Sequence, residues 1–313
     1  MRIVVAIGGN ALLHRGEAPD AMTQVTRLGE AAPALASLAA EHEVVIVHGN
    51  GPQVGLLAME NGDDRSLSSP YPLGDMVAES QGLIGFWLQK ALGRAGLGKD
   101  VVVLVSRTVV APTDPRLLVP TKFVGAVYDK EFALALAKTH DWSVAPDGSG
   151  WRRVVPSPLP IRILESAHAI TLLDAGATVV VAGGGGIPVV PDGTGFKGIE
   201  GIVDKDYAAA RVATDVAADM LVILTDVPGV MTNFGTSSQK LLKTLKTEDI
   251  DHNSYPDGSI GPKIRAAADF VTATGGRALI GSLDRLEAIM SGADGTEILG
   301  LAAPHARSSR TGP

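Results

Sequence analysis

The feature that most constrains this chain is the alternation of short apolar runs with helical segments. Ile3–Ile7, Val44–Val47, Val101–Val105, Thr178–Ala182, Leu221–Leu224 and Ala278–Ile280 are aliphatic apart from Thr178 and read as buried strands. Between them, Gln24–Ala40, Asp75–Ala95, Glu165–Ala175, Asp206–Ala217, Pro262–Thr274 and Asp284–Met290 carry helical patterns. A strand without a polar face must be covered on both sides, which is the signature of βαβ units and a mostly parallel sheet. The pattern therefore predicts an α/β fold. At 313 residues the length suits two domains or one large α/β unit.

Several of these strands run straight into glycine-rich turns: Ile7-Gly8-Gly9-Asn10, His48-Gly49-Asn50-Gly51-Pro52 and Ala182-Gly183-Gly184-Gly185-Gly186. In open α/β sheets ligands bind beyond the carboxyl ends of the strands. Glycine lets a backbone come close to an anion, and a helix starting just after the turn adds the positive end of its dipole. The turns thus read either as one anion site or as ordinary tight connections. They match neither the P-loop nor the dinucleotide-binding glycine pattern.

Two segments interrupt the alternation. From about Ala111 to Pro160 the chain is rich in proline and polar turns, which predicts a small excursion with its own strands, placed as a lid. Within Val190–Val203, Pro191-Asp192-Gly193-Thr194-Gly195 predicts a hairpin turn. Pro304–Pro313 is small, polar and basic, and reads as a frayed tail.

Composition narrows the chemistry. Charged residues are 19% of the chain and hydrophobic ones 45%, so a large core is expected and global disorder is excluded. The net charge of −7 argues against general binding to nucleic acid or to a membrane surface. With no cysteine, a thiolate zinc site, a disulfide framework and cysteine catalysis are excluded. The histidines have no metal-ligand spacing, and no protein metal site is expected. No apolar run is long enough to span a membrane, and a cytoplasmic protein is expected.

Three lysines stand out by position. Lys205, in Asp204-Lys205-Asp206, and Lys263, in Gly261-Pro262-Lys263, fall in first helical turns, where a cation opposes the dipole unless an anion lies nearby. Asp204 suits a helix cap; Asp206 either orders the lysines or helps to position magnesium. Lys122, in Pro120-Thr121-Lys122, is either a solvent-facing lysine or the lid's contribution to the site. Arg152 and Arg153 read as loop anchors, and His48 as a buried residue beside its turn.

These residues, taken in order from about residue 3 to 299, give the chain a resemblance to the carbamate kinases of the amino acid kinase superfamily. It rests on Gly8-Gly9-Asn10-Ala11-Leu12-Leu13, on the run from His48 to Gly55, on Pro120-Thr121-Lys122 and on the run from Trp151 to Pro158. It extends through Gly183 to Val189, Asp204-Lys205-Asp206, Leu224-Thr225-Asp226-Val227 and Gly261-Pro262-Lys263. The resemblance implies a three-layer αβα sandwich with a protruding lid at about 111–160. Residues 1–197 would form the acceptor lobe for carbamate or carbamoyl phosphate, 198–303 a lobe for ATP or ADP with Mg2+, and 304–313 a tail. It implies a homodimer with no nucleic-acid or membrane partner. In that pattern Lys122, Lys205 and Lys263 surround the transferred phosphoryl group and Asp206 organises them. Gly8, Gly9, Asn10, Gly49, Asn50 and Gly51 bind acceptor and phosphoryl group. Gly184, Gly185, Thr225, Asp226, Val227 and Gly261 fall to the nucleotide.

The chain departs from the family pattern at Phe123-Val124 after the lid lysine, at Pro228–Met231 after Thr-Asp-Val, and at Glu79 before Gln81-Gly82. None of these removes an expected catalytic residue. Two alternatives remain open: a related kinase for another small acid or phosphate, and a nucleotide-binding protein without turnover.

Overall fold

The computed structural model describes residues 1–9, 12–13, 17–18, 20–251, 255 and 260–300. Strand β1 (Arg2–Ile7) precedes helix α1 (Ala21–Glu41), and β2 (Glu43–His48) precedes α2 (Gly51–Asp63) and α3 (Leu73–Arg94). Next come β3 (Val101–Val103), β4 (Arg107–Val110), β5 (Lys122–Tyr128), α4 (Lys130–His140), β6 (Ser143–Asp147), β7 (Gly150–Val155) and β8 (Pro160–Ile163). Helix α5 (Ser166–Asp174) leads to β9 (Thr178–Val180), β10 (Ile187–Asp192) and β11 (Gly195–Gly198). Then follow α6 (Lys205–Asp215), β12 (Met220–Thr225), β13 (Met231–Thr232), β14 (Lys240–Leu241) and β15 (Thr244–Lys246). The described chain ends with α7 (Ile260–Thr274), β16 (Arg277–Ser282), α8 (Leu286–Met290) and β17 (Thr296–Leu299).

Among the described residues, eight strands form the main sheet in the order β15-β17-β16-β12-β1-β2-β9-β3. Its pairings are parallel apart from β16 with β17. The apolar runs work as expected, because successive side chains point to opposite faces. Val4, Ala6, Val45, Val47, Leu221 and Ile223 face α5, α6 and α7 on one side. Ile3, Val5, Ile7, Val44, Ile46, Val222 and Leu224 face α1, α3 and α8 on the other. Helices cover both faces, giving three αβα layers. No described helix is long and apolar enough to cross a membrane.

The 111–160 excursion contains a three-stranded antiparallel sheet, β5-β7-β6, with α4 packed on it. Val124 and Val155 from this lid join Val54, Ala58, Leu73, Met76, Val77 and Ile202 in a small core of their own. The lid backbone comes close to α2 at Gly55, where a Cβ would lie 2.8 Å from Gly125 Cα. The expected hairpin is β10–β11, closed by Gly193 and Thr194.

Two strand assignments shorten: the Thr178–Ala182 run ends as a strand at Val180, Ala182 having positive φ. The 101–105 run ends as a strand at Val103, is half-buried, and leaves Val105 53% exposed. It lies at the edge of the main sheet, where one side has no neighbour to bury it. Helix α7 begins at Ile260, so Pro262 is its third residue rather than its first; the first-turn amides lack helical partners, so proline is tolerated there too. Pro304–Pro313 and Asn10 lie outside the described residues.

Candidate active site

Parallel strands put their carboxyl ends on one edge, and that edge gathers the glycine turns. In register, Ile7 pairs with His48 on one side and with Leu224 on the other. The turns after β1 and β2 are therefore neighbours, with Thr225 and Asp226 just beyond. Gly49 N–H donates to Ile7 O at 2.9 Å. A Cβ on Gly49 would lie 3.1 Å from Gly9 N and 3.3 Å from the Lys205 stem. Glycine suits this meeting of three segments, because a side chain would force its neighbours to shift by a few tenths of an ångström.

Asp206 forms the centre. Its carboxylate accepts from Lys205 Nζ at 2.5 Å on one oxygen and from Lys263 Nζ at 2.9 Å on the other. Its side chain is 4% exposed, and those of Lys205 and Lys263 are 12% and 16% exposed. Burial opposes ionisation of Asp206, but the two lysines outweigh it and hold the carboxyl far below the usual range. For Lys263, burial works against the charge, yet Asp206, with Asp204 and Asp226 farther off, keeps its pKa raised. Lys205 fares differently: burial, seconded by repulsion from Lys263, pushes its pKa below the usual lysine value despite Asp206. One carboxylate is thus shared by two buried ammonium groups.

The lid delivers the third lysine. Lys122, the first residue of β5, donates to Asp204 Oδ2 at 2.5 Å. Asp204 caps α6 as expected, its Oδ1 accepting from Asp206 N–H at 2.9 Å. Lys122, Lys205 and Lys263 are therefore linked through Asp204 and Asp206 at the start of α6.

Asn50 is the residue before α2, with its side chain buried. Its Nδ2 donates to Ser80 Oγ at 2.8 Å, and Ser80 Oγ donates to Val77 O at 2.8 Å. Gly51 opens α2 and is exposed, while Gly8 is buried at the end of β1. Gly184 and Gly185 lie beneath Asn50: a Cβ on Gly184 would overlap the Asn50 amide, and one on Gly185 would overlap Val203 O. Both have positive φ, at 65° and 93°, so glycine is required on two counts. They adjoin the turn after β2 and the segment entering Asp204. Val227 follows Asp226 on the far side of β12, where Thr225 Oγ1 donates to Asp226 Oδ1 at 3.1 Å. Gly261 is buried in the first turn of α7, beside Lys263.

Sequence reasoning missed the connecting groups. Gln81 on α3 accepts from Ser106 N and Oγ at 2.9 Å each and donates to Ser106 O at 3.1 Å. Ser106 Oγ in turn accepts from Ala182 N at 2.7 Å, and Thr108 Oγ1 donates to Gly185 O at 2.6 Å. These bonds fix the 182–186 turn, and nothing in the local sequence announces them. His48 is buried; its Nδ1 lies 3.0 Å from Gly49 O, and among the described residues its Nε2 has no partner. Burial lowers its pKa to about 4, so it is neutral at physiological pH.

A cleft of about 990 Å³ lies elsewhere, between the lid and the loop joining α2 to α3. It contains none of the three lysines. Its one buried cation, Arg153, is stacked 4.4 Å over Trp142 and stands 3.7 Å from Glu200, while Arg152 donates to Gly125 O at 2.7 Å. Both arginines anchor the lid, as expected.

A model of the amino acid kinase family matches residues 1–282. Carbamate kinase of Escherichia coli (strain K12) is 44% identical over 294 residues, 94% of this chain and 98% of that protein. Carbamate kinase of Pyrococcus furiosus is 39% identical over 310 residues, 95% of this chain and 99% of that one. The solved structure of carbamate kinase from Giardia lamblia bound to AMP-PNP superposes with a TM-score of 0.86 at 34% identity, covering 96% of this chain and 98% of that one. With the lysine cluster and the strand-end turns in place, the chain belongs to the amino acid kinase family, and within it to the carbamate kinases.

Proposed function

We propose that this chain transfers a phosphoryl group reversibly between ATP and carbamate, converting carbamoyl phosphate and ADP to ATP and carbamate. The observation that carries the reading is Asp206 shared by Lys205 and Lys263, next to the Gly9 and Gly49 turns. In the ATP-forming direction a terminal β-phosphate oxygen of ADP attacks phosphorus, and the bond to the carbamate oxygen breaks. Carbamate leaves as an anion, so no general base is needed. Charge spreads over the equatorial oxygens of the moving group, and converging cations stabilise it. Lys205, Lys263 and Lys122 are those cations, brought together through Asp206 and Asp204.

Asn10, Gly9, Gly49 and Asn50, with Gly8 and Gly51, serve the acceptor and phosphoryl group. Thr225, Asp226, Val227 and Gly261 serve the nucleotide. Gly184 and Gly185 serve it too; Gly184 also seats Asn50, and Gly185 packs on Val203 O. Among the described residues no three acidic or histidine side chains cluster to cage a metal. Asp204 and Asp206 are already held by lysines. This donor set fits Mg2+ carried on the nucleotide phosphates, where it would neutralise their charge.

A homodimer in the cytoplasm completes the reading. It is supported by Leu83 and Phe86, 41% and 56% exposed on α3, beside the open edge of β3. A panel of small acids and phosphates offered with MgATP tests the acceptor: phosphorylation confined to carbamate supports the reading, and preference for another acid shifts it to a related kinase.

A further inference from the structure

Asp204 does more than a helix cap requires. A cap needs one acceptor oxygen, and asparagine or serine would serve equally well. Here the two carboxylate oxygens are divided. Oδ1 takes the Asp206 amide at 2.9 Å, which locks the carboxylate against the first turn of α6. Oδ2 takes Lys122 Nζ at 2.5 Å from across the lid boundary, 82 residues away in sequence. Lys122 needs such a partner. Its side chain is 37% exposed, whereas Lys205 and Lys263 are held by burial and by Asp206. A long, half-exposed lysine has many rotamers, and holding it in one carries an entropy cost that a fixed partner offsets. A lysine ammonium has three donors, so Lys122 bonded to Asp204 keeps two for phosphoryl oxygens.

We infer that Asp204 is a positioning residue for phosphoryl transfer: tied to α6 through one oxygen, it uses the other to place the lid's Lys122 beside Lys205 and Asp206. The inference rests on the kinase reading above and assigns Asp204 a role in it beyond the cap. The two carboxylates divide the three lysines, with Asp206 ordering the buried pair and Asp204 the mobile one. The lid also gains its only described ion pair with the start of α6.

Asp204→Asn separates the two roles. The asparagine oxygen still caps α6, but its NH2 cannot accept from Lys122. Thermal unfolding, kcat, and KM for carbamoyl phosphate and ADP are measured for D204N, K122A and the double variant, with D204A as the variant that also loses the cap. The expected result is a D204N midpoint within about two degrees of wild type and an ADP KM within about twofold. Its kcat should be lower by about tenfold, and the double variant no slower than K122A, because the two residues act as one unit. D204A should show the same kcat loss together with a lower midpoint. Wild-type turnover in D204N with a crippled K122A overturns the role of Asp204 and leaves the kinase reading standing. Losses that multiply in the double variant also overturn it. Wild-type turnover in K122A overturns the lysine assignment itself.

Discussion

Lys263 Nζ lies 2.9 Å from Asp206 Oδ2, although the two residues are 57 positions apart. The pair is buried, and the other Asp206 oxygen belongs to Lys205, so the carboxylate cannot be removed without leaving two ammonium groups facing each other. Asp206→Asn should lower the stability of the fold by about 3 kcal/mol, within the range for breaking a buried ion pair. It should also lower turnover by about 10²-fold or more, the scale of a lost transition-state contact. Denaturant unfolding and steady-state kinetics on the same preparation check both. Unchanged stability would mean that the lysines find other anions.

Asn50 is held by Ser80, so the turn after β2, proposed to bind the acceptor, can be loosened without touching it. Ser80→Ala removes the hydroxyl that receives the Asn50 amide and should raise the KM for carbamoyl phosphate several-fold, with the ADP KM nearly unchanged. Asn50→Leu should do the same more strongly. Equal weakening of both substrates would assign the turn a purely structural role.

Gly55 sets the distance between α2 and the lid. Gly55→Ala places a methyl group against the Gly125 backbone, which cannot move without displacing β5 and with it Lys122. The expected outcome is a fall in kcat of roughly tenfold or more with ADP binding retained, read by kinetics and by calorimetric titration of ADP. Loss of ADP binding with kcat intact would place Lys122 at the nucleotide.

His48 gives the fold a pH dependence of its own. Its folded pKa, about 4, is below the ordinary 6.5, so the unfolded chain binds the proton first. Stability is therefore complete above pH 6.5 and declines as pH falls from 6.5 to 4, by up to roughly 3 kcal/mol. Unfolding midpoints measured across that window should drop in wild type and drop much less in His48→Gln. Parallel curves would assign the decline to other groups.

The core sheet was legible because its strands are buried on both faces: Ile3–Ile7 and Leu221–Leu224 contain no polar residue to confuse the period. Helix α2 was not. Its Gly55 and Gly62 lower helix propensity, and Gly55 is present for the lid backbone rather than for the helix. The lid was readable as an interruption rich in proline, but its three strands pair only with one another and carry mixed side chains. At the site, Lys205 and Lys263 were visible as cations in first helical turns. Their shared partner Asp206 could be named, but not the long-range pairing that makes one carboxylate serve both. Asp204 showed its cap in sequence; its grip on Lys122, 82 residues away, comes from the fold alone. Gly184 and Gly185 stood in a recognisable glycine turn, while the neighbours that require them, Asn50 for the first and Val203 for the second, come from the fold.

The central claim is phosphoryl transfer between carbamoyl phosphate and ADP on the lysine cluster. The protein, mixed with carbamoyl phosphate and MgADP, is followed for ATP by a coupled luminescent assay, alongside Lys205→Met and Lys263→Met. The account predicts ATP formed in step with the carbamoyl phosphate consumed, and a loss on the order of 10²–10³-fold in each variant, whose folds remain intact. Absence of ATP from the wild-type protein, or near-wild-type rates in both variants, would contradict it.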